Sequence, residues 1–347
     1  MDKKDIKSMN MEELKSFVSE LGEKPFRAKQ IYEWMHIKHV ASFDEMTNLS
    51  AKFREVLKEN ADLVVLNPVE ILSSQIDGTK KYLFELSDGN IIESVLMRYK
   101  FGNSVCISSQ VGCRMGCRFC ASTIDGVVRG LTASEMLEQI YRISKDTGER
   151  VSHVVVMGSG EPLDNFENFT RFLELISNGD GLNLGQRNIT VSTCGIVPKI
   201  KELADMKPQI NLALSLHASN QSKREELMPI AKKYELSEVL DACRYYFEQT
   251  GRRITFEYSL VAGVNDTEED ARELASLIAG MNCHINLIPV NPIRERDFKS
   301  PDNSAVVAFK NKLEKKSINV TIRREMGRDI QGACGQLRRR YLREANS

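Results

Sequence analysis

The strongest chemical signal in the sequence is a group of three cysteines within eight residues. Cys113, Cys117 and Cys120 follow the order Cys-x3-Cys-x2-Cys, and Gly112 and Gly116 let the backbone approach whatever the thiolates bind. Cysteines so spaced can share one iron–sulfur cluster. Three ligands on a four-iron cluster leave one iron open, and S-adenosylmethionine can chelate that iron through its amino and carboxylate groups. We therefore predict one [4Fe-4S] cluster per chain, placed to break a C–S bond of S-adenosylmethionine.

Two other interpretations of the cysteines stay open at this point. A structural zinc ion normally takes four ligands, often as two Cys-x2-Cys halves, and no second half or histidine pair lies nearby in the sequence. Unrelated buried cysteines would also give three thiols, although three in eight residues directly after a strand fit packing alone poorly. A non-catalytic zinc or RNA-binding protein is therefore the alternative from another class.

Further polar motifs follow predicted strands at the end where parallel α/β proteins bind ligands. Gly158-Ser159-Gly160-Glu161-Pro162 follows the second strand of the alternating region, and single polar residues or short motifs end the third, fourth and sixth strands. Because these strand ends meet at one edge, we expect the motifs to ring one pocket that binds S-adenosylmethionine, although Gly160-Glu161-Pro162 alone also fits a plain turn and Ser192 a helix cap. The candidate contacts are Gly160, Glu161, Ser192, Ser215, Leu216, His217 and Asn291.

The elements that would position these residues follow from the hydrophobic periodicity. Residues 1–60 have the apolar spacing of helices, and runs at 69–75, 81–86 and 91–98 predict a small antiparallel meander with Asp-Gly turns. From residue 104 onward, strands alternate with helices, which requires a parallel sheet covered by helices. A partial barrel and a doubly wound sheet both satisfy this pattern. The predicted strands are 105–109, 153–157, 188–193, 210–216, 254–260 and 284–290, and the helices between them include 133–145, 166–177, 237–250 and 267–279.

The composition limits the possible functions. The chain has 347 residues and is 41% hydrophobic and 28% charged, which is ordinary for a globular protein. Lys plus Arg and Asp plus Glu are both 48, so evidence for a nucleic-acid partner must come from local patches. The first thirty residues lack the apolar run of a signal peptide, and no stretch of about 18 apolar residues occurs. We therefore expect a cytoplasmic protein, in which clustered cysteines serve metal or redox chemistry.

Several motifs together resemble the radical S-adenosylmethionine (radical-SAM) ribosomal RNA adenine C2-methyltransferases, a family that also modifies transfer RNA. One departure is Gly130, where the family usually has Asn, and this puts a local hydrogen bond in doubt. The resemblance spans nearly the whole chain. Its segments are Ser-Ser-Gln-Val-Gly-Cys (108–113) with the three-cysteine motif, Gly-Glu-Pro (160–162), Ser-Leu-His-Ala (215–218), Gly-Ala-Cys-Gly-Gln-Leu (332–337), Pro-Phe-Arg-Ala-Lys-Gln (25–30) and Met-Thr-Asn-Leu (46–49).

This resemblance implies an α/β fold, an incomplete (β/α)6 radical-SAM barrel with an N-terminal helical accessory domain and a short antiparallel β linker. We accordingly expect residues 1–60 to form the RNA-contacting helical domain and 61–98 the linker. The barrel would then occupy 99–327. Residues 328–347 would form a C-terminal loop with a methyl-carrying cysteine and a basic tail.

The resemblance also implies a radical methyl transfer that uses S-adenosylmethionine twice. Cys334 would take a methyl group from a first molecule, and a 5′-deoxyadenosyl radical from a second would remove hydrogen from that methyl group. The carbon radical would add to adenine C2 in the peptidyl-transferase centre of 23S rRNA, or in tRNA on the 3′ side of the anticodon. Glu93 would then remove the C2 proton. Cys106 would release the RNA by forming a transient disulfide with Cys334.

By pattern alone, the three residues of this mechanism are less distinctive. Cys334 lies in Gly-Ala-Cys-Gly, a loop where a core cysteine is out of place but an incidental thiol is still possible. Cys106 has the pattern of a core residue of a strand, and Glu93 that of a surface-facing residue. Other cysteines and histidines match no motif, and we interpret them as structural: Cys194, Cys243, Cys283, His36, His39, His153 and His284.

Two basic groups are candidates for contact with RNA phosphates. The segment 323–343 contains seven arginines and two acidic residues, a local net charge of +5. A solvated helix face explains this pattern equally well. Lys24, Arg27 and Lys29 form the second group. The target adenine must leave its stack to react, so we expect bases in loops as substrates.

The nearest rival interpretation is the related enzyme that methylates adenine C8 of ribosomal RNA and confers antibiotic resistance. It shares the cysteine motif, so the cysteines do not separate the two, whereas the matches at 25–30 and 46–49 favour the C2 enzyme. The resemblance further suggests a flavodoxin-type electron donor. We expect a monomer that does not associate with a membrane.

Overall fold

The computed structural model describes residues 3–292, 295–330 and 335–345 of the chain. Within these ranges the helices are α1 (Met11–Glu20), α2 (Phe26–His36), α3 (Ala51–Asn60), α4 (Ala133–Thr147), α5 (Phe166–Ile176), α6 (Val197–Asp205), α7 (Gln221–Leu227), α8 (Leu236–Thr250), α9 (Glu268–Leu277), α10 (Asn303–Glu314) and α11 (Gln336–Ala345). The strands are β1 (Lys4–Asp5), β2 (Ala61–Asp62), β3 (Asn67–Ser73), β4 (Lys80–Glu85), β5 (Ile91–Tyr99), β6 (Gly102–Ile107), β7 (Gln110–Gly112), β8 (Val127–Gly130), β9 (Val151–Val156), β10 (Ile189–Thr193), β11 (Asn211–Ser215), β12 (Ile254–Leu260), β13 (Cys283–Pro289) and β14 (Val320–Ile322). None of the described helices has the length and apolar character needed to cross a membrane.

The front of the chain is helical, as its apolar spacing predicts. Asn10 and Glu13 form a reciprocal capping box at the start of α1. At the start of α3, the Phe53 amide donates to Ser50 Oγ at 3.2 Å, so Ser50 is the N-cap of this helix. Strands β1 and β2 pair in parallel and join the two ends of this helical unit.

A buried ion pair attaches the helical unit to the rest of the protein. Lys7 Nζ donates to Glu138 of α4 at 2.6 Å, and neither side chain has exposed surface. Arg142 Nε lies 3.0 Å from the other oxygen of Glu138. Removing one partner of this pair would leave the other charge buried and uncompensated, which costs several kcal/mol. The contact therefore fixes the position of the helical unit.

One ten-stranded sheet runs through the remainder of the described chain, in the order β14-β13-β12-β11-β10-β9-β6-β5-β4-β3. The strands from β14 to β6 in this order run parallel to each other. Strands β6, β5, β4 and β3 pair antiparallel, which confirms the predicted meander. Because β6 belongs to both sets, the meander extends the barrel sheet directly.

All six predicted parallel strands are present in the structure, with ends that differ by a few residues at most. A further parallel strand, β14, has three residues and is too short to give a periodic signal. In the described ranges, β14 and β3 stand at opposite edges of the sheet and do not pair with each other. The sheet is therefore an incomplete barrel, as the resemblance implies.

The C-terminal segment differs from the expected basic tail. Residues Gln336–Ala345 form the helix α11, and its Leu337 is fully buried. Leu337 packs against Leu83 of β4 and Ile91 of β5. The prediction of a tail was wrong because the arginines of this segment masked an apolar face that packs on the meander.

Candidate active site

The three cysteines lie in a loop that a small ribbon closes. Strands β7 and β8 pair at the two ends of the loop, and the Cys113 amide donates to Gly126 O at 2.9 Å. Gly112 has a φ of +75°, and a Cβ atom there would lie 2.0 Å from Gly126 O. Only glycine lets the two arms of the loop approach this closely. Thr123 Oγ1 donates to Cys117 O at 3.0 Å and tightens the far side of the loop.

The surroundings of the thiols suit a metal cluster. Burial raises the pKa of Cys113 to about 12 and the pKa of Cys117 well above its ordinary value, and neighbouring thiols act in the same direction. Three thiolates here therefore need a positive charge, which iron supplies. No three Cys, His, Asp or Glu side chains in the described ranges converge on a site for a single metal ion. A four-iron cluster does not require such convergence, because each cysteine binds a different iron.

The glycine turn after β9 meets the strand that precedes the cysteine loop. Gly160 has a φ of +106°, and a Cβ atom there would lie 2.6 Å from Gln110 Cβ, so this close approach requires glycine. Glu161 is buried and accepts hydrogen bonds from the amides of Leu163, at 3.1 Å, and Cys194, at 2.8 Å. Both oxygens of Glu161 are thus engaged within the protein. They tie the turn after β9 to the end of β10.

The ends of β10 and β11 carry polar groups that face each other. Ser192 Oγ and Ser215 Oγ are 3.2 Å apart. His217 has a φ of +56°, and its Nδ1 accepts a hydrogen bond from the Ser259 amide at 2.9 Å. Burial lowers the pKa of His217 to about 3, so its ring is neutral. The ring meets Phe119 of the cysteine loop edge-on, with 4.7 Å between ring centroids. His217 thereby joins the rim, by which we mean the carboxyl ends of the parallel strands, to the cysteine loop.

Two of the predicted contacts are placed differently. Leu216 is fully buried, and its amide donates to Glu257 O at 3.0 Å, so it packs beneath the rim. Asn291 follows β13 and is exposed, and positions 293 and 294 lie outside the described residues. The structure places Gly160 against Gln110, before the cysteine loop, and His217 against Phe119, within it. Ser192 and Ser215 meet each other at the neighbouring strand ends, and Asn291 is exposed.

Glu93 is buried, so the surface-facing position indicated by its strand pattern was wrong. Its Oε2 accepts a hydrogen bond from the Gly335 amide at 2.6 Å, and its Oε1 accepts one from the Arg338 amide at 2.5 Å. Glu93 therefore caps the start of α11. Lys81 Nζ, on β4, lies 3.2 Å from Oε2. Cys334 itself lies outside the described residues, but the residue after it is held against Glu93.

Gly335 also contacts the cysteine loop. It has a φ of +79°, and a Cβ atom there would lie 2.9 Å from Ala121 Cβ and 3.0 Å from Ser122 N. Ala121 and Ser122 directly follow Cys120. The backbone at Gly335 thus lies between Glu93 and the cysteine loop.

Cys106 lies on the same face of the sheet as Glu93. Cys106 of β6 is paired with Val95 of β5, and Glu93 is two residues before Val95. Side chains two residues apart on a strand point the same way, and such diagonal neighbours are about 7–8 Å apart. Cys106 is buried and packs with Val95 and Met97, so its core pattern was informative. The same face therefore carries Glu93 and Cys106, and Glu93 holds the neighbour of Cys334.

The basic groups are only partly available to a partner. Ion pairs within the protein hold several of the C-terminal arginines: Arg340 with Glu70, Arg343 with Glu295, and Arg328 with Glu325 at 2.9 Å. Arg338 is largely buried. The exposed residues of the two basic groups include Lys24, Lys29, Arg323 and Arg324.

Besides Lys7, sequence reasoning missed the buried cations Lys81 and Arg224, both without exposed surface. Lys81 shares a face of β4 with buried Leu83, so the period of two in this strand could have indicated its burial. Arg224 lies in a polar segment and gave no such signal. The space beside Gly130 is filled by Asn165, whose Nδ2 donates to Ser109 O at 2.9 Å.

An incomplete parallel barrel with a three-cysteine loop at the carboxyl edge of its strands defines the radical-SAM class. Residues 107–278 match the family described as "Radical SAM superfamily", and residues 4–63 match "Ribosomal RNA large subunit methyltransferase N-terminal domain". The crystal structure of a radical SAM methyltransferase from Sphaerobacter thermophilus superposes with a TM-score of 0.92 at 40% identity, covering 96% of this chain and 98% of that one.

Curated relatives narrow the class to one family. The "Probable dual-specificity RNA methyltransferase RlmN" of Lachnospira eligens is 66% identical over 340 residues, which are 98% of this chain and 97% of that protein. The protein with the same description from Lachnoclostridium phytofermentans is 60% identical and covers 98% and 96%. The chain belongs to the RlmN family of radical-SAM RNA methyltransferases. Its cofactors are a [4Fe-4S] cluster and S-adenosylmethionine, and it is an enzyme rather than a non-catalytic zinc or RNA-binding protein.

Proposed function

We propose that this chain methylates C2 of an adenine in 23S rRNA and in tRNA, with Cys334 as the methyl carrier. The observation that carries the proposal is the 2.6 Å hydrogen bond from the Gly335 amide to Glu93. This bond holds the residue next to Cys334 beside an acid, and Gly335 also packs on the cysteine loop. A methyl carrier needs the cysteine loop nearby, where the radical is formed, and an acid nearby, which accepts the proton from adenine.

We assign the cluster to Cys113, Cys117 and Cys120, which bind it within the loop between β7 and β8. When bound, the cluster supplies the electron that cleaves S-adenosylmethionine. We assign S-adenosylmethionine contacts to the rim. The contact of the neutral His217 ring with Phe119 of the cysteine loop supports His217 as a contact. The serine hydroxyls are supported by their position at the carboxyl ends of β10 and β11, and Gly160 and Glu161 by the turn they fix. The residues of this rim are Gly160, Glu161, Ser192, Ser215, Leu216, His217 and Asn291.

Glu93 is proposed as the acceptor of the C2 proton and Cys106 as the thiol that resolves the protein–RNA adduct. Both oxygens of Glu93 accept amide hydrogen bonds from the start of α11. A carboxylate offers about four lone-pair sites, so these two bonds leave Glu93 capacity to accept a proton. Lys81 keeps a cation beside the carboxylate throughout. The shared face of β5 and β6 supports a role for Cys106 close to Glu93.

The remaining assignments rest on the family and on the chemistry of the chain. We propose that the helical unit, within 1–60, contacts RNA, which the match over residues 4–63 supports. Residues 61–98 then serve as a linker, 99–327 as the barrel and 328–347 as the segment that carries Cys334. Reduced cysteines favour the cytoplasm. We also propose a monomer with a flavodoxin-type electron donor.

Mass spectrometry of the RNA product tests the proposed function. The anaerobically purified protein is reduced with dithionite and incubated with tRNA or a 23S rRNA fragment and methyl-deuterated S-adenosylmethionine. We expect 2-methyladenosine that retains two of the three deuterium atoms, because one moves to 5′-deoxyadenosine. Product with three deuterium atoms would contradict a radical route through Cys334. 8-Methyladenosine would establish the C8 activity instead, and unmodified RNA would refute the proposal.

A second measurement tests the cluster assignment. The purified protein should be brown, and Cys117→Ala should lose colour and iron. Cys243→Ala is the matched control, because Cys243 is a buried cysteine of α8 outside the loop. Colourless wild-type protein with one bound zinc ion would refute the cluster site.

A further inference from the structure

Arg224 of α7 is a wholly buried arginine that has no acidic partner in the described part of the chain. Its Nη2 donates to Cys194 O at 2.6 Å and to Ser215 O at 3.3 Å. Its Nε and Nη1 are buried and have no hydrogen-bond partner among the residues that the structure describes. The ionisable groups that influence it are thiols, those of Cys194, Cys117 and Cys243. A buried cation without an anion costs several kcal/mol, so the arrangement indicates a negative group that completes it.

The helix that carries Arg224 packs directly on the cysteine loop. The Arg118 amide donates to Leu227 O at 2.9 Å, which ties the loop to the end of α7. A Cβ atom at Gly116 would lie 3.3 Å from Pro229, just beyond that helix. Leu227 also belongs to the apolar cluster that contains Cys113. The guanidinium is therefore buried behind the same loop that we assign to the iron–sulfur cluster.

We propose that Arg224 is the buried counter-charge of the iron–sulfur cluster and raises its reduction potential. The inference rests on the cluster site proposed above. Three thiolates and the sulfides give the cluster loop net negative charge, and each electron added increases that charge. A fixed cation in a medium of low dielectric constant stabilises the reduced form more than the oxidised form. Arg224 therefore makes the cluster easier to reduce.

The carboxylate of S-adenosylmethionine is the other anion that Arg224 could serve. Three observations favour the cluster. Arg224 has no surface that a ligand entering from solvent can touch, and its Nη2 is held by two backbone carbonyls. The loop that carries Cys117 also packs on α7, through the bond from the Arg118 amide to Leu227 O. A charge acts across several ångströms in a protein interior without contact, so burial does not prevent the proposed role.

Substitutions that separate charge from hydrogen bonding test this proposal. Arg224→Gln removes the charge and keeps an amide donor, whereas Arg224→Lys keeps a cation. Arg252→Gln is the control, because Arg252 precedes β12 at the opposite end of the sheet from the cysteine loop. The intact reconstituted proteins are compared by iron and sulfide content, by circular dichroism, by redox titration with electron paramagnetic resonance in the absence of S-adenosylmethionine, and by calorimetric binding of S-adenosylmethionine.

We expect Arg224→Gln to lower the ratio of reduced to oxidised cluster at a fixed ambient potential about tenfold, which is 59 mV for a one-electron couple. Arg224→Lys should recover most of this ratio, and Arg252→Gln should match the wild type. If Arg224→Gln folds but holds no iron while Arg224→Lys holds it, the cluster needs the positive charge even to bind, which supports Arg224 as its counter-charge.

Other results would overturn the proposal. An unchanged potential in iron-loaded Arg224→Gln refutes it, and a tenfold loss of S-adenosylmethionine affinity in that case assigns Arg224 to the carboxylate. Loss of iron from both variants with unchanged circular dichroism shows that only the guanidinium hydrogen bonds matter, which also refutes it. Wild-type protein that binds no iron refutes the cluster site first and this inference with it.

Discussion

The Nζ of Lys81 lies 3.2 Å from Oε2 of Glu93, and the two side chains are 0% and 5% exposed. A second buried pair of the same kind, Lys7 with Glu138, joins the helical unit to α4 at 2.6 Å. The first pair lies beside the start of α11, and the second lies against the helical front. Substituting the lysine of each pair therefore distinguishes a loss of stability, expected for both, from a loss of methylation, expected only beside α11.

Lys81→Met leaves the Glu93 carboxylate buried beside two amides but without a cation. We expect the free energy of unfolding to fall by about 3–5 kcal/mol, because one partner of a buried ion pair is lost. We also expect loss of methylated adenine, while 5′-deoxyadenosine still forms. Urea denaturation and product per folded enzyme measure the two effects. Lys7→Met should lose similar stability but keep methylation, and equal methylation in both variants would show that Lys81 has no part in the reaction.

Cys334→Ala should keep the cluster and the cleavage of S-adenosylmethionine but give no methylated adenine. The reason is that alanine has no sulfur to carry the methyl group. Iron content, 5′-deoxyadenosine and nucleoside mass spectrometry measure the three properties. Cys283→Ala, at a buried cysteine of β13, should methylate normally. Methyl transfer that survives in Cys334→Ala would refute the assigned mechanism.

Cys106→Ala should trap a covalent species between protein and RNA. Without the second thiol, the bond between the carrier cysteine and the adenine cannot be released by disulfide formation. A denaturing gel should show RNA that migrates with the protein and is freed by protease. If only free RNA is found, Cys106 does not resolve the adduct.

Gly335→Ala should move the segment around Cys334, the proposed methyl carrier, away from the cysteine loop. An added Cβ would meet Ala121 Cβ at 2.9 Å and the backbone of Ser122 at 3.0 Å, so the segment must shift. A displacement of about 1 Å can cost about 100-fold in rate, and we expect a loss of this order in methylation with iron content unchanged. Gly280→Ala is the matched control, because Gly280 has a φ of +78° and open space around it. Equal losses in the two variants would attribute the effect to backbone strain alone.

Stability should fall as the pH falls below about 6.5. Burial lowers the pKa of His36 to about 3, of His39 to about 4 and of His217 to about 3. These histidines are neutral in the fold, whereas the unfolded chain binds protons below about pH 6.5, so acid favours unfolding. Each should cost about 2 kcal/mol by pH 5, and the loss continues toward pH 3 to 4. Chemical denaturation at several pH values should show a shallower dependence for His36→Asn, and an unchanged dependence would argue against the contribution of His36.

The sequence predicted the parallel strands because their apolar runs end in turns and polar motifs at one edge. It did not predict α7, because Gln221–Leu227 is polar and its arginine is buried against backbone carbonyls. The burial of Glu93 was missed for a different reason. The residues that cover Glu93 come from α11, more than 240 positions further along the chain, and periodicity reports only on neighbours.

The hydrogen bond between Glu93 and Gly335 spans 242 positions and therefore sets an order of events during synthesis. A ribosome delivers the chain from its N-terminus at roughly 5–20 residues per second, and early elements fold first. The sheet strands can pair while the final residues are still being added. The Gly335 amide cannot bind Glu93 until that residue has emerged. If Cys334 carries the methyl group as proposed, a chain released before residue 334 would lack its methyl carrier.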